Sequence, residues 1–148
     1  MPAQTARSPA PQPPILLRED VGSIAVLTLN RPAARNSLSE GLIAALHGAL
    51  KEIHDDGNVR AVVIAANGPT FSAGHDMKEL TARRSDADRG RAYFAEIMNA
   101  CSAMMQAIVH LPKPVVAAVQ GVAKPAASEA TARSQLATNW QPAAVAMP

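Results

Sequence analysis

Cysteine and aromatic residues are scarce in this sequence, and it has no long apolar run. The single cysteine, Cys101, excludes an internal disulfide framework and a zinc cluster built from cysteines. Aromatic residues make up 3% of the 148 residues, too few for the stacking platforms of nucleic-acid-binding proteins. No apolar run approaches the ~20 residues that cross a bilayer. We therefore expect neither a nucleic-acid partner nor a membrane role.

Charge and hydropathy are typical of an ordinary soluble, globular, single-domain protein. The formal net charge is +2, with acids and bases interspersed, and the chain is 48% hydrophobic and 18% charged. The beginning of the chain differs, since residues 1–14 contain five prolines and no acid. We predict that this proline-rich segment is disordered.

Hydrophobic periodicity predicts an α/β fold. Short strands at residues 15–17 and 24–29 flank a glycine turn. The β-branched run at residues 61–65 predicts a strand covered on both faces, and residues 115–119 predict another buried strand. Strands that alternate with helical segments imply an α/β layering.

Helices are predicted between these strands. Ser37 and Glu40 have the spacing of a capping box, which puts the N-cap of the first helix at Ser37. A short helix is predicted from Met77, and a longer one over residues 91–110. The residues expected to face the core are Leu38, Leu42, Leu46, Leu50 and Ile53 on the first helix, and Phe94, Ile97, Met98, Cys101, Met104, Met105 and Ile108 on the last.

A predicted strand-to-helix turn is the clearest candidate for a ligand site. Residues 71–80 read Phe-Ser-Ala-Gly-His-Asp-Met-Lys-Glu-Leu and follow the strand at 61–65. Gly74 allows a ligand to approach the backbone closely, and Asp76 or Ser72 can cap the helix that follows. Free N–H groups at such a turn can hold an oxyanion, although many turns of this composition bind nothing.

Three stretches of the sequence together resemble a known family. They are residues 30–38 (Asn-Arg-Pro-Ala-Ala-Arg-Asn-Ser-Leu), residues 71–80, and residues 112–121 (Pro-Lys-Pro-Val-Val-Ala-Ala-Val-Gln-Gly). In order and separation they are similar to signatures of the enoyl-CoA hydratase/isomerase family, the crotonases. The resemblance covers residues 15–123 and implies the N-terminal part of a crotonase-like ββα spiral, truncated. Residues 124–148 form an alanine- and proline-rich tail that does not resemble the family.

The resemblance implies a site for an acyl-CoA thioester. The backbone N–H of His75 would be one donor of an oxyanion hole. The alternative is that the His75 imidazole acts as a general base. Substrate contacts would come from Ala34, Arg35, Ala73, Gly74, His75, Asp76, Met77 and Lys78, and Arg31, Arg35 and Lys78 are candidate partners for phosphate groups. Coenzyme A is part of the substrate, and neither a separate cofactor nor a metal is expected.

The second half of this site departs from the family pattern. Counting from Gly121 puts the second amide donor at Ala126 and a catalytic carboxylate at Glu129. However, residues 124–128 lack the glycines of the family turn, and Pro125 has no N–H. Both readings of Glu129, a catalytic acid–base group and a chance match, therefore stay open.

The function implied is water addition to a 2-enoyl-CoA in fatty-acid metabolism. General acid–base addition needs two positioned carboxylates, and the second of these has no match in the chain, so we expect little or no activity from it alone. The alternative is a non-enzymatic CoA-binding or interaction module that associates with full-length relatives. The resemblance implies a homo-trimer or hexamer, but the C-terminal helices that build the family trimer have no match in this chain. The compartment implied is the cytoplasm of a bacterium or, alternatively, the mitochondrial matrix.

Overall fold

A computed structural model describes residues 12–124 of the chain. Within this range the α/β prediction is confirmed, and two short 3₁₀ turns at Pro32–Ala34 and Arg83–Ser85 join longer elements. The elements are β1 (Leu16–Val21), β2 (Ile24–Leu29), α1 (Glu40–Asp55), β3 (Ala61–Ala66), β4 (Thr70–Ser72), α2 (Met77–Ala82), α3 (Arg91–Val109), β5 (Val115–Ala117) and β6 (Val122–Ala123).

Four strands form the main sheet in the order β1-β2-β3-β5. The β1–β2 hairpin is antiparallel, as predicted, and turns at Gly22, whose φ of 60° lies in the left-handed region that glycine readily adopts. The β2–β3 and β3–β5 pairs are parallel. Strands β4 and β6 form a separate parallel pair beside the candidate ligand turn.

One face of the main sheet packs against α1 and α3. Alternate residues of β2 and β3 point to this face because successive side chains of a strand point to opposite sides. The apolar stripe predicted for α1 is confirmed for Leu42, Leu46, Leu50 and Ile53, which are buried. Leu38 is buried as well, but it lies before α1 and pairs with His75. The helices and strands together bury Ala25, Leu27, Leu29, Leu38, Leu42, Ile43, Leu46, Leu50, Ile53, Val62, Ile64, Ile97, Cys101 and Met104. Full burial of one such leucine or isoleucine contributes about 1.5–3 kcal/mol.

The opposite face of the sheet is largely uncovered by the described residues. Val63 is only half-buried, and Ile24 and Val116 are 40% and 45% exposed. The prediction that the strand at 61–65 is covered on both faces is therefore wrong for this part of the chain. The prediction of a buried strand at 115–119 is wrong as well, because β5 ends at Ala117 and Val119 is 40% exposed.

Two further details of the helices correct the sequence-based predictions. The N-cap of α1 is Ser39, whose hydroxyl accepts from the Leu42 N–H at 3.2 Å, and not Ser37. Phe94 is 53% exposed although it was predicted to face the core, because it lies in the first turn of α3 and the buried residues of that helix begin at Ile97. Cys101 is buried as predicted, and burial raises the pKa of its thiol.

A lysine that is distant in sequence stabilises the C-terminal end of α1. Lys113, in the loop between α3 and β5, donates through Nζ to the carbonyl oxygens of Ile53 and Asp56. A cation at this position satisfies carbonyl groups that the helix end leaves without intrahelical partners. Over residues 12–124, no helix combines the length and apolar character needed to cross a bilayer.

Candidate functional site

Backbone hydrogen bonds join two of the three sequence motifs side by side. The Ala73 N–H donates to the Arg35 carbonyl at 3.0 Å, and the Leu38 N–H donates to the Gly74 carbonyl at 2.8 Å. The Asp76 N–H donates back to the Leu38 carbonyl at 3.1 Å. Segments 35–38 and 73–76 are distant in sequence, but these hydrogen bonds place them side by side. We call residues 72–76 the site turn.

The direction of the His75 N–H follows from this pairing. Gly74 has a φ of 84°, a conformation that favours glycine, and its carbonyl points to Leu38. The peptide between Gly74 and His75 is trans, so its N–H points opposite to its C=O. The N–H of His75 is therefore directed away from the Leu38 segment. Both ring nitrogens of His75 are buried from solvent.

Asn36 lies at the centre of a polar cluster behind the site turn. Its side chain is fully buried and its φ is 50°. The Asn36 Oδ1 accepts from the Arg31 N–H at 2.8 Å, and its Nδ2 donates to the carbonyls of Asn67 and Thr70, both at 2.8 Å. One amide side chain thus ties the loop at 31–37 to the connection between β3 and β4.

Ser72 links Asn36 to the site turn. Its hydroxyl donates to the Asn36 carbonyl at 3.0 Å and accepts from the Gly74 N–H at 3.3 Å. Both residues are buried, at 7% exposure for Ser72 and 0% for Asn36. The Gly74 N–H is therefore connected through two hydrogen bonds to the main-chain carbonyl of Asn36.

Asp76 and Arg31 form an ion pair inside the same region. Arg31 Nη2 lies 3.1 Å from Asp76 Oδ2, and Arg31 Nη1 donates to the Ser37 carbonyl at 2.6 Å. Burial acts to raise the pKa of Asp76, but hydrogen bonds from Arg31 and from the N–H groups of Lys78 and Glu79 outweigh it and lower that pKa. The Arg31 guanidinium is thus engaged within the protein, and its contact with phosphate stays a prediction.

The start of α2 combines a buried cap with exposed neighbours. Asp76 Oδ1 accepts from the Lys78 N–H at 3.0 Å, which confirms Asp76 as the N-cap. Met77 is 62% exposed, and Lys78 is exposed as well. Across the paired segments, Arg35 is exposed and Ala34 is half-buried, as is Ala73. The residues predicted to contact substrate therefore lie on adjoining segments, where Arg35 and Lys78 are exposed and Asp76 is buried.

The third motif leads the chain back to the site turn. Strand β6 runs parallel to β4, and the Lys124 N–H donates to the Ser72 carbonyl at 2.9 Å. Gly121 makes this approach possible, because its φ is 58° and a Cβ there would lie 2.0 Å from the Pro69 carbonyl oxygen. The predicted second amide at Ala126 and carboxylate at Glu129 lie outside the described residues.

Sequence reasoning did not find the polar cluster behind the site. Asn36 was read only as part of a motif, and Ser37 was read as a helix cap. The one available signal was the placement of Asn36 directly after a proline-containing turn, since asparagine tolerates left-handed backbone geometry. Across residues 12–124, no group of three or more histidine, cysteine or acidic side chains is arranged to hold a metal ion.

Comparison with known proteins identifies the class to which this fold and this pair of loops belong. A family model described as enoyl-CoA hydratase/isomerase matches residues 19–130. The chain belongs to the enoyl-CoA hydratase/isomerase family, as its motifs predicted. The fold prediction of a truncated, N-terminal part of the crotonase-like spiral is confirmed by solved structures of this class.

Within the family, the chain is similar to curated relatives that share one name. The chain is 36% identical over 124 residues to enoyl-CoA hydratase domain-containing protein 3, mitochondrial, of Xenopus laevis, covering 84% of this chain and 40% of the relative. It is 34% identical over 122 residues to the Homo sapiens protein of the same name, covering 82% and 39%. The chain thus spans about two-fifths of the length of these curated relatives.

Solved structures of similar proteins also match most of this chain and about two-fifths of their own length. A crystal structure of enoyl-CoA hydratase from Mycobacterium smegmatis matches with a TM-score of 0.65 and 44% identity, over 72% of this chain and 40% of that one. The crystal structure of human enoyl-CoA hydratase domain-containing protein 3 matches with a TM-score of 0.66 and 34% identity, over 73% and 41%.

Proposed function

We propose that this chain carries the first half of an acyl-CoA site, in which the backbone N–H of His75 donates to the thioester carbonyl oxygen. The observation that carries the proposal is the pairing of residues 35–38 with residues 73–76, which sets the direction of that N–H. A donor fixed in advance stabilises the charge that develops on the oxygen as an enolate forms. Removal of one such donor costs on the order of 3 kcal/mol in a transition state.

The rest of the thioester is held along the same edge. Ala34 and Ala73 provide small surfaces, and Arg35 and Lys78 provide exposed cations for the phosphate groups of coenzyme A. Asp76 contributes through its place at the start of α2, because its carboxylate is already engaged by Arg31 and the Lys78 N–H. The buried ring nitrogens of His75 favour its amide over its imidazole as the acting group.

The family reaction is addition of water across the 2,3-double bond of an enoyl-CoA. In that reaction the water loses a proton to a carboxylate as its oxygen bonds to C3, and C2 of the enolate then takes up a proton. Glu129 is the candidate carboxylate of this chain. Because the chain spans about two-fifths of its relatives, we expect binding and carbonyl polarisation but little or no turnover.

Binding of a thioester tests this proposal directly. Isothermal titration of the full chain with acetyl-CoA should show saturable binding that weakens about tenfold or more in an Arg35→Ala/Lys78→Ala double variant, since each exposed cation lost weakens a phosphate contact. Lys51→Ala on the exposed side of α1 is the matched control and should bind like the parent. Absence of binding by the parent protein, or equal binding by all variants, would refute the proposal.

An interaction module is the second candidate, and a specific observation favours it. Val116, Val119 and Val122 are 45%, 40% and 55% exposed, an apolar group of the kind that partner surfaces cover. Sedimentation of the full chain, with and without acetyl-CoA, separates the two functions. A defined oligomer without thioester binding supports the module, whereas binding by a monomer supports the acyl-CoA site.

The compartment is proposed from the relatives. Those from Xenopus laevis and Homo sapiens are named as mitochondrial proteins, which supports the matrix over the bacterial cytoplasm. Fractionation of cells that express the chain with a C-terminal tag should place it with matrix markers, and recovery in the cytosolic fraction alone would contradict this assignment.

A further inference from the structure

We infer that Asn36 is the positioning residue of the site turn and that Ser72 transmits its position to Gly74 and to the His75 N–H. This inference rests on the proposed function and deepens it, because it says which side chain fixes the donor. Asn36 touches neither substrate nor reacting atoms. It acts on the donor through a chain of hydrogen bonds inside the protein.

The geometry gives Asn36 a full set of partners. Its side chain accepts once from the Arg31 N–H and donates twice, to the carbonyls of Asn67 and Thr70. A buried amide with both donors used has one low-energy orientation, since rotation leaves buried polar groups unpaired. The connection between β3 and β4 is thereby fixed relative to the loop at 31–37.

The link from Asn36 to the donor is short. The Asn36 carbonyl accepts from the Ser72 hydroxyl, and that hydroxyl accepts from the Gly74 N–H. Gly74 is held on its other side by the Leu38 N–H. The Ser72 hydroxyl therefore holds the peptide group before Gly74, and the Leu38 N–H holds the next peptide group, which carries the His75 N–H. Only the contact through Ser72 depends on Asn36, and it acts on the donor through the backbone of Gly74.

The left-handed backbone explains why asparagine fits this position. The φ values of Arg35 and Asn36 are 53° and 50°, a region that asparagine and aspartate enter more readily than other residues that have a Cβ. Asn36→Asp retains this preference, the side-chain size and the acceptor for Arg31. It replaces the two donors with an oxygen that faces the carbonyls of Asn67 and Thr70 and adds an ionisable group, so Ser72→Ala, which adds none, is tested beside it.

Amide hydrogen exchange of the full chain, followed by NMR, tests the inference without a ligand. In Asn36→Asp and in Ser72→Ala, exchange of the Gly74 N–H, which donates to the Ser72 hydroxyl, should accelerate roughly tenfold or more, while the Leu46 and Leu50 amides of α1 change less than about twofold. Asn99→Asp, an exposed change on α3, is the matched control and should leave the site turn unaltered. Equal acceleration at all amides, or none at Gly74, would overturn the inference.

Binding of acetyl-CoA labelled with ¹³C at its carbonyl adds a readout that mere destabilisation does not move. In Asn36→Asp the downfield shift of the bound carbonyl should fall towards the free value, while Kd changes less than about threefold, because the phosphate contacts remain. An unchanged carbonyl shift would contradict the role of Asn36. If the parent chain binds no thioester, the acyl-CoA proposal fails by itself, and the exchange rates alone decide whether Asn36 positions the turn.

Discussion

The apolar core and the polar cluster behind the site turn hold this molecule together in different ways. The core consists of aliphatic side chains between one sheet face and two helices, where any well-fitting side chain of similar volume contributes similar burial. The cluster around Asn36 depends on directional hydrogen bonds with named partners. The core therefore sets global stability, and the cluster sets the geometry of one short segment.

Truncation of a central core residue should have the largest effect on global stability. Leu50 is 1% exposed on α1, and Leu50→Ala should lower the free energy of unfolding by about 2–5 kcal/mol through lost burial and a cavity. Urea denaturation followed by circular dichroism measures the loss. Leu17→Ala, at a residue 37% exposed on β1, is the control and should cost under about 1 kcal/mol. Similar losses at both positions would mean that the core is not where the sheet meets the helices.

Replacement of the buried carboxylate should have an effect that depends on pH. The pKa of Asp76 lies below the ordinary 3.8, so its ionised form stabilises the folded protein above pH 3.8, and this contribution is lost as pH falls through the lowered pKa. At neutral pH, Asp76→Asn should cost about 2 kcal/mol, because it removes a charged partner of Arg31.

Denaturation of parent and variant between pH 7 and pH 2 measures this dependence, and the two stability curves should converge at the acid end. Asp88→Asn is the control at an exposed carboxylate that accepts from the Gly90 and Ala92 N–H groups at the start of α3, and its cost should be smaller. If Asp76→Asn lowered the free energy of unfolding by the same amount at every pH, the charge of Asp76 would not contribute to stability.

Two adjacent valines test whether the core is one-sided. Val62 is fully buried on the helix side of β3, whereas Val63 is half-buried on the other side. Val62→Ala should cost about 2 kcal/mol and Val63→Ala under about 1 kcal/mol, because only the first leaves a closed cavity. The two variants share residue type, strand and propensity, so equal costs in urea denaturation would mean that something covers the second face.

A glycine on the outer side of α1 should give the smallest change, and in the opposite direction. A Cβ at Gly48 would meet no atom within 4 Å, so Gly48→Ala should raise the free energy of unfolding by about 0.5–1 kcal/mol. At Gly41 the added Cβ would lie 3.3 Å from Ile15 Cδ1, and the gain should be reduced there. Thermal denaturation of both variants measures the difference, and a loss at Gly48 would contradict an exposed outer side.

The parts of the fold that the sequence predicted are those with strong local periodicity. The stripe of α1 and the strand at β3 are regular patterns that a short window reveals. The N-cap was misassigned because Ser37 and Ser39 are both compatible with a helix start, and only the contact with Leu42 decides between them. The exposure of Val116 was missed because composition does not show what covers a strand.

The sequence predicted where the candidate site lies, but not the hydrogen bonds that hold it in place. The motif at 71–80 indicated the turn, its glycine and its cap. The partners of Asn36 are backbone carbonyls 31 and 34 residues away, and no residue type in the sequence marks a carbonyl as an acceptor. Directional contacts across such separations become visible only when the fold is known.

Gly121 sets a limit on which sequences can adopt this arrangement. Its α-carbon faces the Pro69 carbonyl so closely that any side chain would collide with it. In a saturation library selected for folded protein, codon 121 should retain glycine alone, while codon 48 accepts many residues. A designer who grafts this pair of short strands onto another scaffold must carry that achiral residue along, or rebuild the opposing bend.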